Sequence, residues 1–166
     1  MKRFIITFAI TLCGVIASAQ DIYIGSWYKI EVHEDELVGA PAQDLYSFRN
    51  EDSEVVFITE PDKIGAITTI KMFTWGSLFK DSNKPVDVLV GYYNSEGELE
   101  HKETLKATII NEFWAELNVK AADNLIDNMF ERDGFIRLVM ERSWGYYDLL
   151  IPTFKTGPIY PYIGAD

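Results

Sequence analysis

Cysteine is almost absent from this chain, because Cys13 is the only one among 166 residues. Beyond residue 19 the absence excludes a disulfide framework, a thiol nucleophile and a thiolate metal site. A domain without such links must be stabilised by its apolar core alone. With 48% hydrophobic and 14% aromatic residues, the composition can supply that core.

Basic residues are also few. The chain has 15 lysines and arginines against 26 acidic residues, which gives a formal net charge of −11. A charge of this sign repels phosphate backbones, and no basic stripe in the sequence offsets it. We therefore expect neither nucleic acid nor an anionic lipid surface as a partner.

Long apolar runs are missing except at the N-terminus. Lys2 and Arg3 precede an apolar run from Phe4 to Ile16, and Ala17-Ser18-Ala19 follows. This order predicts a signal peptide, residues 1–19, that is cleaved after Ala19. The run is shorter than the roughly 20 residues that span a bilayer. We expect an exported protein, periplasmic or extracellular, whose mature chain does not insert into the membrane.

Two alternatives to this cleavage stay open. A lipid anchor at Cys13 is disfavoured by Leu12, because a small residue is expected immediately before a lipidated cysteine. A leader that is retained as an N-terminal anchor is the other alternative.

The remaining sequence is dominated by strand patterns. Val86, Val88, Val90 and Tyr92 alternate with other residues, the turn 94–97 follows, and Leu99 to Leu105 reads as the hairpin partner. Further strand candidates lie at 26–33, 45–48, 55–58, 67–75, 113–119, 135–141 and 147–151. About eight short strands at hairpin spacing predict a mainly β protein, an antiparallel β-sandwich or a partly open barrel.

One segment has a helical period instead. Between Asp123 and Arg132 the apolar residues are spaced as one face of a helix. Asp123 is suited to cap its start, and Gly134 to provide a left-handed residue after its end. We expect a β domain that comprises residues 20–156. One short helix is expected to pack over an opening of this domain. The glycine- and proline-containing tail, residues 157–166, is expected to be irregular.

The order of these elements resembles that of a known class of proteins. Trp27 opens the domain, an acidic turn at 35–39 follows the first strand, and the helix leads through Gly134 into the strand 135–139. A last strand ends near Phe154. This order is similar to small periplasmic β-sandwich proteins, the VasI or TagO type of type VI secretion accessory protein and the invasion-associated locus B family. The resemblance implies a non-catalytic protein of the cell envelope and assigns no functional residue.

Motifs for metals, cofactors and covalent catalysis are lacking. His33 and His101 are too far apart in sequence for a helical ligand pair. No Gly-x-Ser-x-Gly elbow, P-loop or dinucleotide fingerprint is present. The polar turn 94–98 has oxygen ligands but not the spacing of an EF-hand loop. We expect no metal and no cofactor.

Carboxylates keep one catalytic alternative open. Glycosidic cleavage requires two acids that converge at a separation of about 5 or 9 Å. Glu31, Glu116, Glu141 and Asp148 lie in or near strand candidates, where an inward-facing acid would be unusual. A small carboxylate-dependent hydrolase is therefore an alternative function.

Aromatic residues are plentiful and indicate a binding surface. Trp27 and the segment containing Trp144, Tyr146, Tyr147 and Asp148 place rings beside acidic or polar groups. Rings on a solvent-facing side would stack on sugars or anchor a protein. The competing interpretation is that these rings complete the core. We expect an exported, non-catalytic protein that binds a protein or a carbohydrate, with a carbohydrate-binding module as the specific alternative.

Overall fold

The computed structural model describes residues 25–34, 39–63, 65–76, 78–79, 85–142 and 145–161. The predicted signal peptide and Trp144 lie outside these residues. The strands are β1 (Ser26–Val32), β2 (Gln43–Arg49), β3 (Ser53–Thr59), β4 (Ile67–Thr74), β5 (Val86–Tyr93), β6 (Leu99–Ile109), β7 (Trp114–Leu117), β8 (Phe135–Arg142), β9 (Gly145–Pro152) and β10 (Ile159–Pro161). The helix α1 (Asp123–Glu131) lies between β7 and β8.

The strands form one sheet in the order β10-β1-β2-β3-β4-β7-β6-β5-β8-β9. Nine strands are antiparallel, and the sheet does not close into a complete barrel. The predicted mainly β class with one helix is confirmed. The prediction of an irregular tail is wrong for Ile159–Pro161, because these residues pair in parallel with Trp27, Tyr28 and Lys29 at the free edge of β1.

The hairpin of β5 and β6 lies where the alternating pattern predicts it. Val88 pairs with Leu105 and Val86 with Ala107. In the turn, the side-chain oxygen of Asn94 accepts hydrogen bonds from the backbone N–H groups of Glu96 and Glu98, at 3.0 and 2.9 Å. The amide oxygen therefore satisfies donors that the turn removes from the strand ladder.

The inner face of the sheet carries one continuous apolar core. Phe48, Phe57 and Met72 contribute from the first half of the sheet, and Leu138 and Leu149 from the second. Alternate residues of a strand point to the same face, so each strand supplies every second side chain to this core. The core therefore joins the two halves of the sheet.

Helix α1 covers part of this core with the apolar face that the sequence predicts. Leu125 and Met129 are fully buried. Asp123 is the first helical residue and makes no side-chain cap, which differs from the expected capping role. The prediction for Gly134 is confirmed, because its φ is +140°. A Cβ there would lie 2.1 Å from the carbonyl oxygen of Tyr93, so only glycine fits between helix and sheet.

No helix among the described residues combines the length and the apolar character that crossing a membrane requires.

Candidate functional site

Trp27 belongs to the core rather than to a ligand surface. Its side chain is 1% exposed, and its indole Nε1 donates a hydrogen bond to the carbonyl oxygen of Pro152 at 3.0 Å. The rings of Phe48 and Phe154 lie 5.3 and 4.8 Å from it. This contact links the start of β1 to the end of β9. The expectation that Trp27 presents its ring to a ligand is therefore corrected.

Tyr147 is the second predicted site residue that the structure buries completely. Its hydroxyl donates to the backbone carbonyl of Glu54 at 3.0 Å, so the buried polar atom is satisfied. Burial, and to a smaller degree the charges of Glu54 and Asp148, raise the pKa of this phenol well above its usual value. Tyr147 therefore fixes β9 against β3 and is not available to a ligand.

Tyr146 and Asp148 lie on the opposite, outer face of β9. Tyr146 is 72% exposed. Asp148 forms a bidentate ion pair with Arg137, in which Nε and Oδ1 are 2.7 Å apart. Hydrogen bonding to Asp148 raises the pKa of Arg137. Of the predicted site residues, these two share a surface, and the carboxylate of Asp148 is already occupied by the guanidinium.

A groove of about 520 Å³ lies elsewhere, on the outer face of β1 to β4. We call it the outer groove. Its lining residues are Ile30, Leu45, Ser47, Arg49, Glu54, Val56, Ile58, Lys71, Ile110, Asn111 and Trp114. Ligand pockets are typically clefts of about 300–1,000 Å³ with mainly apolar walls and a few placed polar groups. The volume of the outer groove lies within this range, and six of its eleven lining residues are apolar.

The floor of the groove follows from the composition of β3. All seven residues of this strand are buried. Val55 and Phe57 belong to the core, so Val56 and Ile58 must point to the other face. Leu45 lies opposite Ile58 in the register of β2 and β3 and extends the apolar floor.

The wall of the groove is formed where β6 turns into β7. Ile110, Asn111 and Trp114 line this side. The side-chain oxygen of Asn111 accepts hydrogen bonds from the backbone N–H groups of Phe113 and Trp114, at 2.9 and 3.0 Å. These bonds hold the turn in a defined shape, so the indole of Trp114 is fixed beside the floor.

One end of the groove carries a polar trio. Glu54 is 9% exposed, and its carboxylate accepts a hydrogen bond from the hydroxyl of Ser47. Nη2 of Arg49 lies 3.4 and 3.3 Å from the two oxygens of the carboxylate. A carboxylate with so little exposure requires such partners, because an unpaired buried charge is costly. The trio is therefore internally neutralised.

Lys71 is the other charged residue of the lining. It lies on β4, beside Val56 of β3, and is partly exposed. Among the described residues no carboxylate lies within 4 Å of its ammonium group. Glu116 is its register partner on β7 but is not part of the lining. The groove thus contains a cation without an ion-pair partner in the described chain.

An aromatic cluster extends the Trp114 wall. The rings of Phe73 and Trp114 are 4.8 Å apart, and Trp75 packs edge-on against Phe73 at 4.7 Å. Trp75 is 64% exposed. The most exposed tryptophan of the described chain therefore lies next to the groove.

Histidine and acidic side chains are the groups that a metal site or a carboxylate-dependent hydrolase would require. The described residues contain no group of three or more histidine, cysteine or carboxylate side chains able to hold a metal ion. Two of the predicted acids are engaged by cations, Glu31 by Lys29 and Asp148 by Arg137.

The sequence analysis did not predict the polar groove residues Ser47, Arg49, Glu54 and Lys71. One local feature of the sequence did point to this region of the sheet. Val55-Val56-Phe57-Ile58 is a continuous apolar run, which is typical of a strand covered on both faces rather than on one. The run predicts a covered outer face for β3, but Val88-Leu89-Val90 of β5 is equally apolar and its Leu89 is 46% exposed, so the signal is not specific.

No protein-family model matches this sequence, and no curated protein or solved structure is significantly similar to it. The resemblance to periplasmic accessory proteins stays a prediction.

Proposed function

We propose that this protein is an exported, non-catalytic binding protein and that its ligand lies in the outer groove. The observation that carries the proposal is the apolar outer face of β3, which borders a groove of about 520 Å³. The solvent-exposed face of an antiparallel sheet usually carries polar residues at every second position of a strand. In β3 the apolar residues Val56 and Ile58 occupy two of these positions. A protein or carbohydrate partner would contact this floor through an apolar group.

Apolar contact would supply most of the affinity. Removing apolar surface from water contributes about 25 cal/mol per Å². The partly exposed apolar side chains around the floor of Val56 and Ile58 offer such surface: Ile30, Leu45, Ile110 and Trp114. Lys71 is the charged group of the lining that has no ion-pair partner among the described residues. This division between an apolar floor and a few polar groups is usual for binding sites of small molecules and of single side chains.

The proposal is tested with N-phenyl-1-naphthylamine, an uncharged dye whose fluorescence rises in apolar surroundings. We expect the dye to bind the purified protein and to quench Trp114 by energy transfer. Ile110→Asp places a charge on the rim, where the native side chain is already half exposed, so the fold should tolerate it. This substitution should weaken dye binding at least about tenfold, since a buried charge is unfavourable beside an apolar ligand.

Leu89→Asp is the matched control, because Leu89 is 46% exposed on the outer face of β5, away from the groove. It should leave dye binding unchanged. Equal loss in both variants, or no loss in Ile110→Asp while circular dichroism shows an intact fold, would contradict the proposal.

A carbohydrate ligand is the second candidate, and the exposed indole of Trp75 favours it. An exposed tryptophan ring provides the flat apolar surface on which a sugar stacks. Trp75→Ala should then abolish retention on a polysaccharide column, and Tyr146→Ala should not. Retention that survives Trp75→Ala would remove this candidate.

A further inference from the structure

The net charge of the residues that line the outer groove is opposite in sign to the net charge of the whole chain. The lining contains two cations, Arg49 and Lys71, and one anion, Glu54. The chain contains 26 acidic residues against 15 basic ones. A positive excess in the lining of an apolar groove is therefore a local property and does not follow from composition.

The two cations are not equivalent. Arg49 is held by the carboxylate of Glu54, which also binds the hydroxyl of Ser47. Lys71 has no carboxylate within 4 Å in the part of the chain that the structure describes. A lysine ammonium has three hydrogen-bond donors and no acceptor, so a ligand anion is its natural partner. Lys71 is consequently the group to which a ligand head would bind.

The position of Lys71 defines the shape of such a ligand. Lys71 lies directly across from Val56 in the register of β3 and β4, and Ile58 is two residues further along the same face. A ligand that binds the ammonium with one end therefore has apolar floor within reach of its other part. The matching molecule has an anionic head on an apolar chain.

The net charge of the protein does not prevent this binding. Interactions between exposed charges are screened over about 8 Å at physiological ionic strength. A ligand anion beside Lys71 is therefore influenced by the groove and by Glu116, the register partner of Lys71 on β7, more than by acids on remote strands. The same net charge still repels an extended anionic surface such as a membrane, so a single molecule is favoured as the occupant.

We propose that the outer groove binds an anionic amphiphile, with the head, a carboxylate or a similar anion, on Lys71 and the alkyl chain on the floor of Val56 and Ile58. This inference rests on the proposed function of the groove. It adds the chemical class of the ligand and the residue that selects it.

The experiment compares three probes that share a ten-carbon chain and differ in the head group: decanoate, decanol and decyltrimethylammonium. The affinity of each probe is measured by its displacement of N-phenyl-1-naphthylamine from the purified protein, at concentrations below those at which micelles form. We expect decanoate to bind about tenfold more tightly than decanol, as one charge-assisted hydrogen bond implies, and decyltrimethylammonium to bind most weakly.

Lys71→Met keeps the apolar stem and removes the charge. It should reduce the affinity for decanoate to that for decanol and leave decanol within about twofold of its original value. Lys102→Met, on the exposed face of β6, is the matched control and should preserve the preference for decanoate.

The possible failures are distinguishable. Equal binding of decanoate and decanol to the original protein, or a preference that survives Lys71→Met, would overturn the assignment of an anionic ligand while the groove remains a binding site. Failure of the dye to bind, or dye binding that Ile110→Asp does not affect, would overturn the proposed function itself.

Discussion

The two halves of the sheet share one core and differ in their outer faces. On β3 every residue is buried, so Val56 and Ile58 carry apolar surface on the side away from the core. On β5 the inner residues Val88 and Val90 are buried, and the outer residue Leu89 is nearly half exposed. The outer face of β3 is therefore shielded from water, and the outer face of β5 is in contact with it.

This difference in burial, and not a sequence motif, is the basis on which we place the proposed binding surface. In β5 it is the burial that alternates, because Asp87 and Leu89 are exposed on either side of the buried Val88, and this pattern indicates one face in contact with water. A strand that is buried at consecutive positions, as β3 is, has its outer face covered as well, because burying one face requires only every second side chain. In this protein Val56 and Ile58 are 6% and 8% exposed and line the outer groove, where we propose that a ligand binds.

Truncating the core side of β3 is expected to have the largest effect. Phe57→Ala removes a fully buried ring and should lower the free energy of unfolding by about 3–5 kcal/mol. Val56→Ala, on the groove side of the same strand, should cost less, because it removes fewer buried atoms than Phe57→Ala and its neighbours there border an open groove. Urea unfolding monitored by tryptophan fluorescence measures both. If Val56→Ala proves as costly as Phe57→Ala, the outer groove is a sealed second core and not a site.

The hydroxyl of Tyr147 joins β9 to β3 and gives an intermediate, pH-dependent effect. Tyr147→Phe loses the hydrogen bond to the carbonyl of Glu54, and near neutral pH this should cost about 1 kcal/mol. The pKa of the native phenol is raised by burial, above the value of about 10 in an unfolded chain. The phenol therefore stabilises the fold below pH 10 and loses this contribution as the pH rises further.

Phenylalanine cannot ionise, so the original protein should lose stability above pH 10 more steeply than the variant. The difference between the two is expected to shrink and then to reverse. Urea unfolding at pH 7, 10 and 11 provides the comparison, and Tyr46, whose pKa is also raised, is present in both proteins and cancels. A difference that stays constant from pH 7 to 11 would show that the Tyr147 phenol is not held as the structure describes.

The elements of the fold were largely predictable from local patterns. The alternation in β5 and the polar turn 94–97 identify the central hairpin, and the spacing of Leu125 and Met129 identifies α1. Both signals depend on neighbours in sequence. The pairing of β10 with β1 depends on residues more than 120 positions apart, which no local period reveals.

The candidate site was less predictable, because exposure of an aromatic ring depends on what the rest of the chain covers. Trp27 and Tyr147 each adjoin another aromatic residue, Tyr28 or Tyr146, so the sequence leaves open which ring of each pair faces the core. Contacts with Pro152 and Glu54 show that Trp27 and Tyr147 face it. The polar trio of Ser47, Arg49 and Glu54 forms across two strands and has no spacing signature. The apolar run in β3 was the one local signal for the groove.

The smallest expected effect concerns the charge pairs on the wet outer face. Arg137 and Asp148 are only partly exposed and form a bidentate pair, so a double-mutant cycle with Arg137→Met and Asp148→Asn should give a coupling of about 1 kcal/mol. Asp87 and Lys106 pair on the same face with most of both side chains in water, and their cycle should give no measurable coupling. Neither cycle should change dye binding, because both pairs lie outside the lining of the outer groove. Weaker dye binding on breaking the Arg137 pair would mean that the two outer faces are coupled, and the contrast between a covered and a wet face would no longer hold.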